Sequence, residues 1–533
     1  MFWADEVATS ASGRQVVNDS KTPSGTIHVG SLRGPVIVDT IVRALRAAGT
    51  RAELRYGIDD LDAMDSAALV TPDAVERSMG MPLARVPDPA GDCHPSYARH
   101  FAQLFVDTFD GLGIRPDAWY WMSELYASGV MDRYIRAALD RAAVVREIYV
   151  RVANVRHPDE WHPLMVICEN CGRIGTTIVT DWDGEAVTYE CRPDWVAWAT
   201  GCGHAGRTSP FGGPAKLPYN VEWAAKWSLF GVTIEPAGKD LSTAGGSRDR
   251  SDAIAREVFE REPPRNVPYE FLNIGGRKMS TSRGHGAAAH RMAEVIPPEQ
   301  LRLLFLRPRP NHAIDFDPDG TDAIPRLFDE SDRLAAATAG RPVRGELPPH
   351  HDRIFAFSLV EPDADVAAEA SAYRPPFSHL ALLEQIPGVD VVERVIAEKG
   401  APLTDREREI LDVRRRAARA WLEAYAPERA RLVVHREGLP EAASQLEDAQ
   451  RAYLGALADA LDATSWDGEA LQAAIFAGAK ERDLPSGEAF AALYRAFLGR
   501  PSGPRAGWLL AALERDFVLG RLREAANAAP VRA

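Results

Sequence analysis

The sequence predicts an α/β fold built on a parallel sheet, interrupted by a cysteine-bearing insertion and followed by an all-α C-terminal region. Three observations carry that expectation. An apolar stretch at Val16 and Val17 runs into a glycine-containing turn and then an amphipathic run over 32–45, the pattern of strand, turn and helix. Between about 88 and 207 the α/β rhythm breaks, and Cys93, Cys168, Cys171, Cys191 and Cys202 all fall there. From about 327 to the end, Ala-, Leu-, Arg- and Glu-rich segments at helical spacing dominate, broken by prolines near 342–349, 375–376, 440 and 485.

In chain order, 14–19, 28–48 and 51–59 read as strand, helix and strand, a βαβ unit with a parallel crossover. The turn is Pro23-Ser24-Gly25-Thr26-Ile27-His28-Val29-Gly30-Ser31. A helix N-terminus presents unpaired N–H groups and a partial positive charge, so it suits a polyphosphate. Gly30 lets a nucleotide lie against the backbone, and the His28 imidazole can stabilise charge on a transferring phosphate. The second strand ends in Asp59-Asp60, with Asp62 close behind; open parallel sheets gather ligands at such strand ends. Helical stretches over 97–112 and 130–150 then lead into a β-like, cysteine-bearing segment, read as an insertion. The α/β pattern resumes near Leu217 and reaches Gly238-Lys239-Asp240. Lys278-Met279-Ser280-Thr281-Ser282-Arg283-Gly284 follows, a loop whose lysine, hydroxyls and arginine form a clamp for the far end of a triphosphate. The expected division is 1–90 and 208–275 for the two halves of the nucleotide fold, 91–207 for the insertion, 276–335 for the lysine-loop segment and 336–533 for the helical domain.

Composition bounds the rest. A chain of 533 residues predicts three or four domains. Its net charge, 62 − 76 = −14, argues against a basic coat for indiscriminate nucleic-acid binding and leaves room for a local footprint. No run of 18 apolar residues occurs, and the first residues lack a basic region followed by an apolar stretch, so a cytoplasmic protein without membrane attachment is expected. Five cysteines fit a reducing compartment rather than a disulfide framework. Cys168-x-x-Cys171 has the knuckle spacing of a zinc site; Cys191 and Cys202 complete a set of four thiolates, with His204 as a competing fourth ligand. The insertion's low aliphatic content implies that metal supplies folding energy there. In the helical region, Arg406, Arg408, Arg414, Arg415, Arg416, Arg419, Arg429, Arg431 and Arg436 interleave with Trp421 and Tyr425. That pattern reads either as an RNA-binding face or as a salt-bridged solvated helix, since Glu and Asp alternate with it.

The pairing of His28-Val29-Gly30-Ser31 with Lys278–Gly284 resembles the HIGH and KMSKS signatures of class I aminoacyl-tRNA synthetases. Phe2-Trp3-Ala4-Asp5, Thr22-Pro23-Ser24-Gly25, Gly238-Lys239-Asp240, Gly245-Gly246-Ser247 and Tyr269-Glu270-Phe271 are similar to the class I lysyl-tRNA synthetases, a likeness running from residue 2 to about 335. It implies a Rossmann-like catalytic domain, activation of L-lysine by ATP to an adenylate, and transfer to tRNA(Lys), with Mg2+ accompanying ATP and Zn2+ in the insertion. It implies catalytic roles for His28, Gly30, Ser31 and Lys278. ATP contacts would come from Thr26, His28, Gly30, Gly238, Asp240, Lys278, Ser280 and Ser282. Gly25, Asp59, Asp60, Glu222 and Trp223 would line the lysine slot. Asp88, Cys93, His94 and His100 resemble a second metal site of the family's insertion, with one extra residue before Cys93. The chain departs from the pattern at Ser31, Thr281 and Leu241, where the family carries other polar groups. Two alternatives remain at this point: a nucleotidyltransferase or amino-acid-activating paralogue without tRNA, and a zinc-bearing RNA-binding protein with an inactive nucleotide site.

Overall fold

The apolar run around Val16 forms β1 (Gln15–Lys21), which pairs in parallel with β2 (Ala52–Ile58), Val17 facing Leu54. Between them, Val29–Leu32 makes a short 3-10 turn and Arg33–Ala47 an α-helix. Its Val36, Ile37, Ile41 and Leu45 recur at helical spacing, and all four are buried. The helix stops where the Gly49 and Thr50 amides turn back to the carbonyls of Arg46 and Leu45, with Gly49 at φ +79°. These elements match the sequence reading closely. The computed structural model describes every residue except 27, 67–71, 92, 276, 279–291, 294, 387–388 and 529–533; of residues 72, 75, 277 and 278 it describes the backbone.

The sheet extends further than the sequence indicated. β3 (Ala118–Trp121) pairs in parallel with β2, so the nucleotide sheet draws a strand from inside the 91–207 span assigned to the insertion. Four residues long and set between the helices Tyr97–Gly111 and Met122–Ala127, this strand leaves too short a pattern to stand out. On the other side of β1, Ile234 bridges in parallel to Val17, and Arg265 bridges in turn to Ile234. The spatial order is therefore third, second, first, fourth, fifth, the doubly wound order that opens a crevice where the direction of winding reverses.

Two compact units result. The first comprises Met1–Ala293, Pro298–Asp317 and Arg344–Val366, and the second Glu294–Pro297, Pro318–Val343 and Ala367–Ala533. These units divide the chain otherwise than the expected 276–335 and 336–533: 298–317 and the helix His351–Ser358 fall in the first unit, and the helix Ala323–Thr338 in the second.

In the first unit, the insertion does not make a separate small core. Ile178, Val179, Val187 and Tyr189 of its antiparallel ribbon join Met122, Tyr126, Ile148, Trp223 and Trp227 in one buried cluster. The low aliphatic content of the insertion is thus offset by packing on the neighbouring helices. A satellite cluster of Met64, Leu83, Val86, Tyr97, Ala98 and Phe101 is small, as the sequence implied.

The second unit is helical among its described residues. Its core gathers Leu454, Leu457 and Leu461 of the helix Asp448–Asp462, Leu471 and Ile475 of Gly468–Glu481, and Leu493 and Phe497 of Ser486–Leu498. The longest helix, Asp405–Ala424, starts at a capping box formed by Thr404 and Glu407. Most arginines of the basic run are scaffold: Arg406 pairs with Glu369, Arg414 with Asp332, Arg415 and Arg419 with Glu384, Arg429 with Asp322, and Arg436 with Glu514. Arg431 donates to the Glu423 carbonyl, and Trp421 is buried. The salt-bridged alternative therefore describes this run. Among the described residues no helix is long and apolar enough to cross a membrane.

Candidate nucleotide and amino-acid cavity

A cavity of about 310 Å3 lies at the C-terminal ends of β1 and of the strand through Ile234, where the winding reverses. Of the residues nominated from sequence, His28, Gly30, Ser31, Asp59, Trp223, Gly238 and Asp240 line it. His28 precedes the 3-10 turn in an extended conformation, and its Nε2 stands 3.5 Å from Ser31 Oγ. Gly25 has φ +151°, a backbone region that side chains with a Cβ rarely enter, so the loop needs glycine there. Gly25 and Thr26 belong to the loop but are not among the cavity-lining residues. Gly34, at the start of the helix, answers a different demand: a Cβ there would stand 2.9 Å from the Tyr269 hydroxyl and 3.0 Å from Asp19 Oδ2. Lys278 is described in its backbone alone, paired across an antiparallel turn with Asn273; Ser280 and Ser282 lie outside the described residues.

The acids proposed for the amino-acid slot divide sharply. Asp59 reaches the cavity, but its carboxylate already accepts from Lys226 Nζ at 2.8 Å and from Ser20 Oγ at 2.8 Å. Burial alone would push Asp59 up; the Lys226 ammonium reverses that and holds it below the ordinary carboxylate range. Asp62 accepts from Lys216 Nζ at 2.5 Å and from Thr22 Oγ1 at 2.6 Å. Glu222 is buried and accepts from Tyr126 at 2.7 Å, with Lys216 at 3.3 Å; burial raises it to about 7 against the pull of the two lysines. Asp60 and Glu222 are not cavity residues. Asp60 accepts from the amide of Ser123 at 2.8 Å and from its hydroxyl at 2.5 Å, which caps the helix Met122–Ala127. Asp60 is thus held at the helix start and not in the cavity wall, where a substrate contact was expected.

The wall carries other charged groups that the sequence reading passed over: Asp19, Lys21, Glu235 and Glu270. Asp19 accepts from the Ser20 amide, and burial, reinforced by the nearby Glu235 charge, pushes it up to about 8. Burial lowers Lys21. Glu235 takes the indole N–H groups of Trp223 and Trp227, both at 2.7 Å, and burial raises it. Lys239, at the rim, pairs with Glu270 at 2.6 Å. The signal for these residues was present: Asp19 and Glu235 sit at the C-terminal ends of parallel strands, the argument that singled out Asp59. Applied to every strand, it finds all three.

Two sets of possible metal ligands also assemble in the first unit. The Sγ atoms of Cys168, Cys171, Cys191 and Cys202 all lie within 4.8 Å of one another, with Cys168–Cys202 at 3.6 Å and Cys171–Cys191 at 3.7 Å. Tetrahedral thiolates about 2.3 Å from zinc stand about 3.8 Å apart, so the set fits that ion. His204 stands outside it, and its Nε2 is buried without a partner, so it does not displace a cysteine. Asp88, Cys93, His94 and His100 form the second set; Cys93 Sγ is 2.9 Å from Asp88 Oδ2 and 3.0 Å from His94 Nδ1, and His100 Nδ1 is 3.1 Å from Asp88 Oδ1.

A family model described as tRNA synthetases class I (K) matches residues 1–358, and one described as an anticodon binding domain matches residues 428–526. The lysine–tRNA ligase of Archaeoglobus fulgidus is 34% identical, the alignment covering 98% of this chain and 100% of that one. Lysine–tRNA ligase 1 of Methanosarcina acetivorans is 33% identical over 99% of each chain. The lysine–tRNA ligase of Methanocaldococcus jannaschii is 32% identical over 98% of this chain and 99% of its own. These alignments run well past residue 335, where the recognisable motifs end.

Proposed function

The chain belongs to the class I (K) tRNA synthetases, and from that premise we propose that it is a lysine–tRNA ligase. ATP and L-lysine would occupy the cavity at the sheet's switch point. The lysine carboxylate attacks the α-phosphate, pyrophosphate leaves, and the resulting lysyl-adenylate gives its acyl group to a hydroxyl at the 3′ end of tRNA(Lys) with release of AMP. Adenylyl transfer needs positioning and charge stabilisation rather than a covalent enzyme intermediate. His28, the helix N-terminus after Gly30 and Lys278 would supply that stabilisation, with Mg2+ bound to ATP. Asp240 is suited to the ribose hydroxyls.

One observation carries the lysine assignment: Asp19 and Glu235 line the cavity as buried acids without a lysine or arginine ion pair among the described residues, groups whose ionised forms an arriving ammonium would stabilise. A buried ammonium requires such compensation. Zinc fits the Cys168, Cys171, Cys191 and Cys202 set and would tie the knuckle to the ribbon; the same ion suits Asp88, Cys93, His94 and His100. The anticodon-domain match supports tRNA contact through 428–526.

ATP–pyrophosphate exchange with each of the twenty amino acids, followed by charging of tRNA, tests the reading. Lysine alone should sustain exchange, and tRNA(Lys) should be charged. Exchange with a neutral amino acid overturns the substrate; lysine exchange without charging assigns the chain to a paralogue that does not use tRNA.

A further inference from the structure

Arg33 opens the helix that follows the His28–Ser31 turn, and its side chain points away from the cavity. It is 1% exposed and does not line the cavity wall. Its two terminal nitrogens each bond a pair of backbone carbonyls. One donates to Glu270 at 2.6 Å and Phe271 at 3.2 Å, the other to Pro310 at 3.1 Å and His312 at 2.8 Å. Among the described residues it has no carboxylate within ion-pair distance, and burial lowers it to about 10. A buried guanidinium held by carbonyls alone is an unusual use of a charge.

The two segments it grips are neighbours. The Glu270 amide donates to the Pro310 carbonyl, and Leu272–Ile274 pairs in parallel with Ile314–Asp315. The same Leu272–Ile274 strand pairs on its other edge with Arg277–Lys278, Asn273 facing Lys278. Phe271 is thus two residues from the position opposite Lys278. We infer that Arg33 is a positioning residue that fixes the segment leading into Leu272–Ile274, the strand paired with that of Lys278, to the helix that follows the His28–Gly30 turn, so that the two signature segments keep one spacing during adenylate formation. The inference rests on the ligase reading only for its kinetic arm.

Arginine suits this task because its planar fork offers two separate N–H pairs in fixed geometry. Lysine keeps the charge on a single ammonium and cannot span both carbonyl pairs. The Phe271 and Pro310 carbonyls keep other donors, the amides of Ile314 and Glu270, which makes Arg33→Lys a change in registration rather than a loss of the strand.

Two measurements on the full chain decide it. The first is amide hydrogen exchange on the protein without substrates: Arg33→Lys should accelerate exchange at Glu270, Ile314 and Phe316 by at least about tenfold and leave Val17 and Leu54 in the sheet unchanged. Unaltered protection overturns the clamp whatever the enzyme does. The second is a double-mutant cycle in lysine-dependent pyrophosphate exchange. Arg33→Lys should lower kcat about tenfold to a hundredfold, the scale of a small misplacement of reacting groups, with lysine Kd within about twofold. In a Lys278→Ala background the same change should cost less than about threefold. Equal losses in both backgrounds, or a lysine Kd that moves with kcat, overturn the coupling. If Arg33→Lys and Arg33→Gln both fail to fold, Arg33 is a folding element and the positioning role is refuted. A wild type lacking lysine exchange fails the ligase reading alone, since the amide measurement stands without it.

Discussion

Replacing Lys226 with methionine separates the buried charges beneath the cavity. Lys226 Nζ and Asp59 Oδ1 are 2.8 Å apart, with side chains 1% and 4% exposed. Methionine keeps most of the volume and leaves Asp59 with Ser20 as a neutral partner. Breaking a buried pair from one side costs about 3–5 kcal/mol. The sign of its pH dependence is the sharper test. In the wild type Asp59 titrates below its ordinary 3.8, so its contribution is complete above that pH and lost as pH falls through the folded value. Lys226 lies well above its ordinary 10.5, because Asp59, Tyr120, Glu222 and Glu235 together outweigh burial, so its contribution is lost only in strong base. Between pH 5 and 7 the pair is therefore flat. Without Lys226, burial governs Asp59 and its folded value rises above 3.8. The native state then holds the extra proton, and stability falls as pH rises, by up to about 1.36 kcal/mol per unit, or about 2.7 kcal/mol across that window. Glu222, which also loses the pull of Lys226, shifts the same way. Urea unfolding followed by the fluorescence of Trp223 and Trp227, on the same helix as Lys226, reads the transition. A cost equal at pH 5 and pH 7 refutes the assignment of Asp59 as a carboxylate that Lys226 keeps ionised.

Lys278→Ala should depress pyrophosphate exchange about 10²-fold and leave lysine binding nearly intact; near-wild-type exchange would hand the role to another cation. Asp60→Asn should cost about 0.5–2 kcal/mol through its weakened cap on Ser123 and change the KM for lysine less than about twofold, and a strong rise in that KM would return Asp60 to the substrate. Cys171→Ser should lower bound zinc by one ion per chain in metal analysis, with the Asp88 set still loaded; an unchanged zinc content would exclude the four-thiolate centre.

The first βαβ unit was legible because period-two and period-3.6 patterns were long there and the turn carried its own chemistry. β3 was hidden because four residues make no period, and because Tyr97, Phe101, Phe105 and Phe109 beside it already read as a helix face. The gathering of the four cysteines was legible from spacing, since a knuckle constrains its members locally, while the place of His204 outside that group was not. The acids were hardest. Asp59, Asp60, Asp62 and Glu222 look alike in sequence, and what separates them is their partners: Lys226 and Lys216 come from segments more than 150 residues beyond the aspartates, and Ser123 from just past the end of β3, the strand too short to be read.

The buried charges beneath the cavity bear on how its wall would receive a cationic substrate. Lys226 is satisfied by Asp59 and Ser20, and Lys216 by Asp62 and Glu222, so the protein twice solves internally the problem of burying an ammonium. Each solution uses a carboxylate with one further polar oxygen, and each occupies an acid that the sequence offered to the substrate. Facing the space beside Lys21, Asp240 and Glu270 are Asp19, which accepts from the Ser20 amide, and Glu235, whose two oxygens are already turned toward the indoles of Trp223 and Trp227. Both are raised by burial, which means that an arriving ammonium strengthens their ionised forms and that an arriving carboxylate or phosphate does the reverse. Under the proposed reading, the negative charge of ATP would be met by His28, the helix N-terminus and Lys278, and the ammonium of lysine by the buried acids of the wall. On that reading the wall's buried acids would favour a cationic substrate before any single contact discriminates between amino acids.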